Sequence, residues 1–240
     1  MKHFPKTKLN VITTLPDAVF FDYDGTICNN SKYLVKAFNY AVKMNFDKKK
    51  DAIILKAVKK IKKDSEKWSY IKQNCPMEVF AKCNEDYDKY ISSKKLCLVR
   101  NVKKIIKLFH KYNIPMFVVS QKRGDGLREE LRRSKLINYF SKAYGTLDFD
   151  ELQKPSKEYI DAVLKDSKME GKRCWMIGDR HSDVVAGLNM NGNIFIIDKN
   201  DIDKIYNENS NLIGSRVFFT SYLRLIIHIM KIYNKTKRMK

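Results

Sequence analysis

The residues of this sequence that are best placed to do chemistry are carboxylates that directly follow apolar runs. They stand in two short stretches, as Asp22, Asp24, Asp179 and Asp183. If the runs are neighbouring parallel strands, these side chains meet at the edge of the sheet where open α/β folds bind ligands. Converging carboxylates repel one another unless a cation lies among them, and hard oxygen ligands at an open site suit Mg²⁺. The spacing therefore predicts a Mg²⁺ site with room for a phosphate.

Strands that alternate with helices must position these carboxylates. Short apolar runs without polar alternation are typical of strands buried on both faces, and they occur at 18–21, 115–119, 143–144, 174–177, 193–197 and 217–219. Apolar residues recur at helical spacing between them, at 101–112, 126–136, 156–164 and 183–189. This alternation predicts an α/β protein, with a Rossmann-like parallel sheet core and helices on both faces.

Residues 29–98 interrupt the alternation. The stretch has no glycine and one proline, and its apolar residues recur at helical spacing, as at Leu34, Phe38 and Ala41. It carries 17 basic and 8 acidic side chains, a charge of +9. We predict a core domain formed by 1–28 and 99–240, with 29–98 inserted as a small α-helical domain.

The pattern Asp-x-Asp-Gly-Thr at 22–26 resembles the first motif of the haloacid dehalogenase-like (HAD) hydrolase superfamily. Similar motifs follow in the family's order: Ser120 after an apolar strand, Gln153-Lys154-Pro155, and Gly178-Asp179-x-x-x-Asp183. The resemblance covers the chain from residue 18 onward, apart from the insert. Asp24 points to the phosphatase or phosphomutase branches, and an insert after the first motif resembles the helical C1 cap of phosphoglycolate phosphatases.

The resemblance implies a role for each matching residue. Asp22 is the expected nucleophile, which forms an aspartyl-phosphate, and Asp24 is the expected general acid and base. The implied Mg²⁺ ligands are Asp22, Asp24 through its backbone carbonyl, Asp179 and Asp183. The implied phosphate-binding residues are Gly25 and Thr26 of the turn, Ser120, Gln121 and Lys154.

Three further side chains lie close to these motifs in the sequence. Lys157 competes with Lys154, although Pro155 favours Lys154 because the family's lysine commonly precedes proline. His181 is a candidate for substrate contact, with a solvated loop position as the favoured interpretation. Cys28 is expected to be unreactive, because neighbouring carboxylates raise a thiol pKa.

The sequence thus predicts a Mg²⁺-dependent phosphomonoester hydrolase that acts on a small phosphorylated metabolite, since a C1 cap favours a substrate it can enclose. Three alternatives stay open. The first is a nucleic-acid end phosphatase, the second a sugar phosphomutase with nearly the same residues. The third is a phosphate-binding or partner-binding protein without turnover.

The charge of the chain bears on its partners. Its 240 residues include 48 basic and 27 acidic side chains, a net charge of +21 that attracts polyanions. Because 38 of the basic residues are lysine and 10 are arginine, we attribute the excess mainly to A/T-rich codon usage rather than to a nucleic-acid site.

Location can also be predicted from the sequence. No apolar run approaches the roughly 20 residues that cross a bilayer. Five cysteines without a CxxC pair, and no secretory signal, favour a reduced cytoplasm. The segment 222–240 has an apolar face and a basic tail; we expect it to pack on the sheet, with membrane contact as the alternative.

Overall fold

The structure is a computed structural model that describes residues 7–29, 31–61, 64–197 and 202–238, with no side-chain description at 31, 32, 64 and 65. The chain divides into two compact units, Met1–Asn29 with Leu96–Lys240, and Asn30–Lys95. The domains predicted from the sequence, 1–28 with 99–240 and an inserted 29–98, stay a prediction.

The smaller unit contains helices and no strand in its described part. Its helices are α1 (Ser31–Asn45), α2 (Ala52–Lys60), α3 (Asp64–Asn74) and α4 (Met77–Ser92). Trp68 is partly buried against its core, with edge-to-face ring contacts to Phe38, Phe80 and Tyr87. The Asn45 side chain joins α1 to α4 by donating to Asp86 at 2.8 Å. Apolar residues at helical spacing therefore form this small bundle, as the sequence predicts.

The larger unit is built on a parallel sheet. Its six strands within the described residues are β1 (Ala18–Phe21), β2 (Met116–Arg123), β3 (Lys142–Thr146), β4 (Cys174–Gly178), β5 (Asn193–Ile196) and β6 (Val217–Phe219). Their order across the sheet is β3-β2-β1-β4-β5-β6, and every pair is parallel. The predicted Rossmann-like α/β fold is confirmed.

Both faces of the sheet are covered, because side chains alternate along each strand. Val19 and Phe21 belong to one buried cluster, and Ala18 and Phe20 to another. Three helices pack on the face of the first cluster: α5 (Val102–Lys111), α6 (Gly124–Arg133) and α10 (Tyr222–Arg238). Three others pack on the face of the second cluster: α7 (Lys157–Ser167), α8 (His181–Asn189) and α9 (Ile202–Asn209). No helix among the described residues is long and apolar enough to cross a membrane.

Two elements differ from the sequence prediction. Strand β2 does not end at Ser120 but continues to Arg123, with a shift in its pairing to β3 between Val119 and Arg123. Helix α9 was not predicted, because its apolar residues are few and flanked by polar ones. The β2 extension matters for the site, since it places Gln121 and Lys122 on a strand.

Candidate active site

The site lies where the strand order reverses, between β1 and β4. Open parallel sheets form a ligand-binding crevice at this switch point, beyond the carboxyl ends of the strands. The register pairs Phe21 with Ile177, so Asp22, which follows β1, lies beside Gly178, the last residue of β4. The Asp22 backbone N–H donates to Ile177 O at 2.8 Å, which holds the start of this turn against β4.

Three of the predicted carboxylates converge here. Asp22, Asp179 and Asp183 are all buried, and each offers an oxygen that lies within 4.8 Å of the other two. Asp24 does not belong to this side-chain group; the role implied for it as a ligand uses its backbone carbonyl instead. The strand ends thus form a compact set of hard oxygen ligands, as the spacing predicts.

Lys154 lies among these carboxylates. Its Nζ donates to Asp22 Oδ1 at 2.5 Å, to Asp183 Oδ1 at 2.7 Å and to Val119 O at 3.1 Å, and the residue is buried. Lys157, the alternative, is exposed and pairs with Asp161 one helical turn away. The structure therefore brings Lys154 into the site and leaves Lys157 outside it.

The charges of the cluster do not balance. Three carboxylates face one buried ammonium, and the exposed Arg180, 3.8 Å from Asp179, is screened by solvent. Burial raises the pKa of Asp22 to about 8; Lys154 opposes this shift, and the charge of Asp183 adds to it. When all three carboxylates are ionised, the excess of two negative charges equals the charge of one divalent cation, so the donor set fits Mg²⁺ in both charge and ligand type.

The turn after β1 positions Asp179. The Thr26 hydroxyl donates to Asp179 Oδ1 at 3.2 Å, with both groups buried. Gly25 has φ +92, and a Cβ at this residue would lie 2.3 Å from Asp179 Oδ2. Glycine is required here, because a side chain would both strain the backbone and displace the carboxylate.

Asp183 is fixed at the start of α8. Its Oδ2 accepts the backbone N–H groups of Asp179 and Arg180, both at 2.9 Å. A Cβ on Gly178 would lie 2.2 Å from the Asp183 carboxyl carbon, so glycine is also needed at the end of β4. Both Asp183 oxygens are therefore occupied within the protein, one by these N–H groups and one by Lys154.

Asp24 has a neighbour that sequence reasoning missed. Lys122 Nζ lies 3.7 Å from Asp24 Oδ1 and 2.6 Å from Glu130 Oε1. It also lies over the Tyr23 ring, 5.3 Å from the centroid. In the sequence, Lys122 is one lysine among many. Only its position two residues after Ser120 could have indicated a role in the site. The contact depends on the extension of β2.

The structure corrects part of the predicted phosphate site. The N–H of Gly25 donates to Cys28 O at 2.8 Å and that of Thr26 to Tyr23 O at 3.3 Å, so neither is available to a ligand. The Thr26 hydroxyl serves Asp179, as described above. By contrast, the N–H groups of Tyr23 and Asp24 have no acceptor among the described residues. Backbone N–H groups that bond within the turn cannot bind a ligand, and only its remaining N–H donors can do so.

The other predicted phosphate-binding residues lie beside the cluster. Ser120 is buried, and its Oγ accepts the Lys122 N–H at 3.1 Å. The Gln121 side chain donates to Lys154 O at 2.9 Å, so it holds the backbone of the lysine. Gln121 thus has a positioning role through its side chain, which leaves only its N–H for the predicted contact.

Two further side chains are accounted for. His181 Nε2 lies 2.7 Å from Glu208 Oε2, which gives this imidazole a protein partner. Cys28 is buried, and burial first, then the charge of Glu130, raises its thiol pKa to about 12. The expectation of an unreactive thiol agrees with this pKa, although the main cause is burial rather than the neighbouring aspartates.

Comparisons with known proteins agree with this geometry. The model of the haloacid dehalogenase-like hydrolase family matches residues 19–197. A curated protein of Caldanaerobacter subterraneus subsp. tengcongensis, named as a candidate pyrophosphatase, PpaX, is 26% identical over 172 residues, 70% of this chain and 76% of that protein.

Solved structures share the fold. A predicted phosphoglycolate phosphatase from Haemophilus somnus 129pt has a TM-score of 0.67 at 16% identity, over 90% of this chain and 99% of that one. The candidate HAD-hydrolase YfnB from Bacillus subtilis, described as bound to magnesium, has a TM-score of 0.56 at 15% identity, over 82% and 100%.

The match extends over most of the chain and includes the strand-end residues. The chain belongs to the haloacid dehalogenase-like hydrolase family. It is an enzyme of this hydrolase family, and the predicted resemblance to the family's phosphatases is confirmed by its relatives.

Proposed function

We propose that the protein is a Mg²⁺-dependent phosphomonoester hydrolase that acts on a small phosphorylated metabolite through an aspartyl-phosphate on Asp22. The observation that carries this proposal is the buried contact of Asp22 with Lys154, inside a group of three carboxylates at the switch point of the sheet. A carboxylate alone repels a phosphate dianion, and Lys154 together with the Mg²⁺ that the carboxylates would hold would supply the positive charge that the approach requires.

Asp22, Asp179 and Asp183 would hold Mg²⁺, directly or through water, and the Asp24 carbonyl would complete the set. When bound, the cation would neutralise negative charge on the phosphoryl oxygens. The magnesium described in the Bacillus subtilis relative supports this choice of metal. Thr26 and the N–H groups at the start of α8 would keep two of these carboxylates in place.

In the first chemical step, an Asp22 oxygen attacks phosphorus and the bond from phosphorus to the leaving oxygen breaks. Asp24 gives its proton to that oxygen, which makes the alcohol a neutral leaving group. Lys154 stays hydrogen-bonded near the attacking carboxylate, while the Ser120 hydroxyl and the N–H groups of Tyr23 and Asp24 would bind the phosphoryl oxygens.

In the second step, Asp24 takes a proton from water, and the hydroxide attacks phosphorus. The bond between phosphorus and the Asp22 oxygen breaks, which releases inorganic phosphate and restores the carboxylate. The side chain of Asp24 suits this double role because it is about one-third exposed (36%), so it can reach both leaving group and water.

The test compares Asp22→Asn with wild-type protein on p-nitrophenyl phosphate, with Mg²⁺ or with EDTA. Because the amide cannot attack phosphorus, we expect a loss of at least about a thousandfold in kcat. Asp161→Asn, an exposed carboxylate on α7, is the matched control and should keep full activity. Acid-quenched protein should carry base-labile phosphate only when Asp22 is present; wild-type turnover by Asp22→Asn would exclude the mechanism.

The substrate can be identified with a panel measured in Mg²⁺. We expect sugar and glycolate-type phosphomonoesters to be turned over fastest. Pyrophosphate belongs in the panel because of the name of the curated relative. A 5′-phosphorylated oligonucleotide tests the nucleic-acid alternative. A hexose phosphate with a bisphosphate primer tests the mutase alternative. If none of these compounds is turned over, the result indicates a binding protein.

The predicted cytoplasmic location stays a proposal. It is supported by the five cysteines, all in the described part of the chain and all free thiols. Fractionation of the cells that make the protein would test it.

A further inference from the structure

Helix α10 has two apolar faces, one buried and one exposed. One face is buried in the core through Tyr222, Leu225, Ile229 and Ile232, as the sequence analysis expects of a last helix. On the other side Leu223, Ile227 and Met230 are 53%, 48% and 44% exposed. These three residues are four and three positions apart, so they form one stripe along the helix.

The segment before β1 runs along α10 and extends this surface. His228 Nε2 lies 2.8 Å from Ile12 O, and Arg224 Nη2 donates to Thr7 O at 3.4 Å. Val11, next to Ile12, is 57% exposed. We call Val11, the stripe, and the basic residues Lys8, Arg224 and Lys231 the outer face of α10.

A cavity of about 330 Å³ lies between the segment and the helix. It is lined by Lys8, Leu9, Asn10, Arg224, Ile227, His228 and Lys231. No carboxylate is among these residues, and its permanent cations form no ion pair with any other residue the structure describes. Since Ile227 belongs to both the cavity and the stripe, the cationic and apolar parts form one continuous surface.

Arg224, which lines this cavity, has one buried donor without a partner among the described residues. Its Nη1 is buried and has no hydrogen-bond partner within the described part of the chain. A buried charged donor without an acceptor costs free energy, so the environment of this guanidinium lacks negative charge. Guanidinium groups match the oxygens of a phosphate with two parallel hydrogen bonds.

His228 is partly buried beside one of these cations, Lys231. Burial first, and then the charge of Lys231, hold the pKa of this imidazole below its usual value, against the contact with Ile12 O. Among the groups lining the cavity, Lys8 and Arg224 are also cations, and none is an anion. A phosphate in the cavity would therefore relieve repulsion between like charges.

We propose that the outer face of α10 docks on an anionic phospholipid surface, with one lipid phosphate in the cavity and the exposed stripe in the interfacial layer. The chemistry of the helix complements such a surface, because α10 has five basic and no acidic side chains. Lys235, Lys237 and Arg238 are exposed at its end and would lie against further anionic headgroups. A soluble phosphate would fill the cavity but would leave the stripe without a partner.

The test is co-sedimentation of the full chain with vesicles of phosphatidylcholine alone or mixed with phosphatidylglycerol. We expect binding to the mixed vesicles at least about tenfold stronger than to phosphatidylcholine, and weaker at high salt. The double variant Arg224→Gln, Lys231→Gln removes charge from the cavity, and Leu223→Gln, Ile227→Gln removes the stripe. Each should weaken binding roughly tenfold or more.

Matched controls separate this surface from the general charge of the protein. Lys165→Gln with Lys172→Gln removes two exposed cations elsewhere on the larger unit, and Ile53→Gln with Met77→Gln removes two exposed apolar residues of the smaller unit. Both controls should bind like wild type. Thermal unfolding by circular dichroism checks that every variant is folded.

A second measurement needs no variant. Hydrogen exchange of the wild-type protein should slow at residues 8–12 and 222–231 when mixed vesicles are added, and not with phosphatidylcholine. The proposal is overturned if mixed vesicles are not bound, or if the controls lose as much binding as the α10 variants. It is also overturned if the stripe variant Leu223→Gln, Ile227→Gln binds vesicles like wild type. Binding of soluble glycerol phosphate in the cavity, without binding of vesicles, would overturn it too.

Discussion

Lys154 and Asp22 stand 132 positions apart in the chain, and the Lys154 ammonium donates to Asp22 Oδ1 at 2.5 Å. The same ammonium donates to Asp183, so one lysine connects the residue that follows β1 with the first turn of α8. Both contacts are buried, which makes the lysine a structural partner of the carboxylates as well as a candidate catalytic group.

Lys154→Gln should lower stability and activity together. Removing the ammonium leaves the buried Asp183 carboxylate, and that of Asp22 where it is ionised, without a charged partner, which costs about 3–5 kcal/mol in typical buried pairs. The free energy of unfolding, from urea titration in EDTA, measures this cost, and kcat on p-nitrophenyl phosphate should fall about a hundredfold or more. Lys157→Gln, which changes an exposed lysine paired with Asp161, should alter neither; equal effects of the two variants would contradict the assignment.

Gly25→Ala should damage the carboxylate cluster more than its backbone strain alone predicts. Both Gly25 and Gly171 have positive φ, but only at Gly25 would a Cβ meet Asp179, at 2.3 Å. We expect Gly171→Ala to cost about 1 kcal/mol, the strain of the left-handed region. Gly25→Ala should cost about 3 kcal/mol or more, with a clear loss of Mg²⁺ affinity. Thermal unfolding and Mg²⁺ titration measure the stability and the Mg²⁺ affinity of both variants. If Gly25→Ala and Gly171→Ala have similar stability and Mg²⁺ affinity, a steric clash with Asp179 is refuted.

The Thr26 hydroxyl should tune the binding of Mg²⁺ without touching the substrate. Thr26→Val removes the donor to Asp179 and keeps the shape, so Mg²⁺ affinity should fall roughly tenfold, as for other residues that orient metal ligands. Thr26→Ser keeps the hydroxyl and should restore most of that affinity. Isothermal titration with Mg²⁺ gives both values, and identical behaviour of the valine and serine variants would argue against this hydrogen bond.

Mg²⁺ should stabilise the protein more as the pH rises. The pKa of Asp22 is raised to about 8 in the folded, metal-free protein, above its ordinary value of 3.8. Between these values the folded chain holds a proton that the unfolded chain has released, so metal-free stability falls as the pH rises from about 4 to about 8. Bound Mg²⁺ replaces that proton, and its stabilising effect should grow over the same range.

The measurement is thermal unfolding in EDTA and in Mg²⁺ at several values from about pH 5 to about pH 9. Asp22→Asn is the control, because an amide does not titrate and should flatten the pH dependence. If the unfolding temperature of Asp22→Asn depends on pH as steeply as that of wild type, another group is responsible for the pH dependence.

The sequence by itself determined the architecture and the places where chemistry can occur. Apolar runs such as Cys174–Gly178 are buried on both faces, and this burial is visible as an absence of polar alternation. The position of Asp22 directly after one run and of Asp179 after another follows from the same local pattern. Residues 29–98 likewise showed their helical nature through spacing, because periodicity depends only on neighbours in the chain.

The tertiary structure alone decided which side chains meet. Lys154 and Lys157 are indistinguishable by type, and only the path of the chain before α7 buries one and exposes the other. The assignment of Thr26 to Asp179 and of Lys122 to Asp24 depends on the adjacency of β1 with β4 and with β2. Such contacts are set by strand order and register across long separations, so no local pattern encodes them.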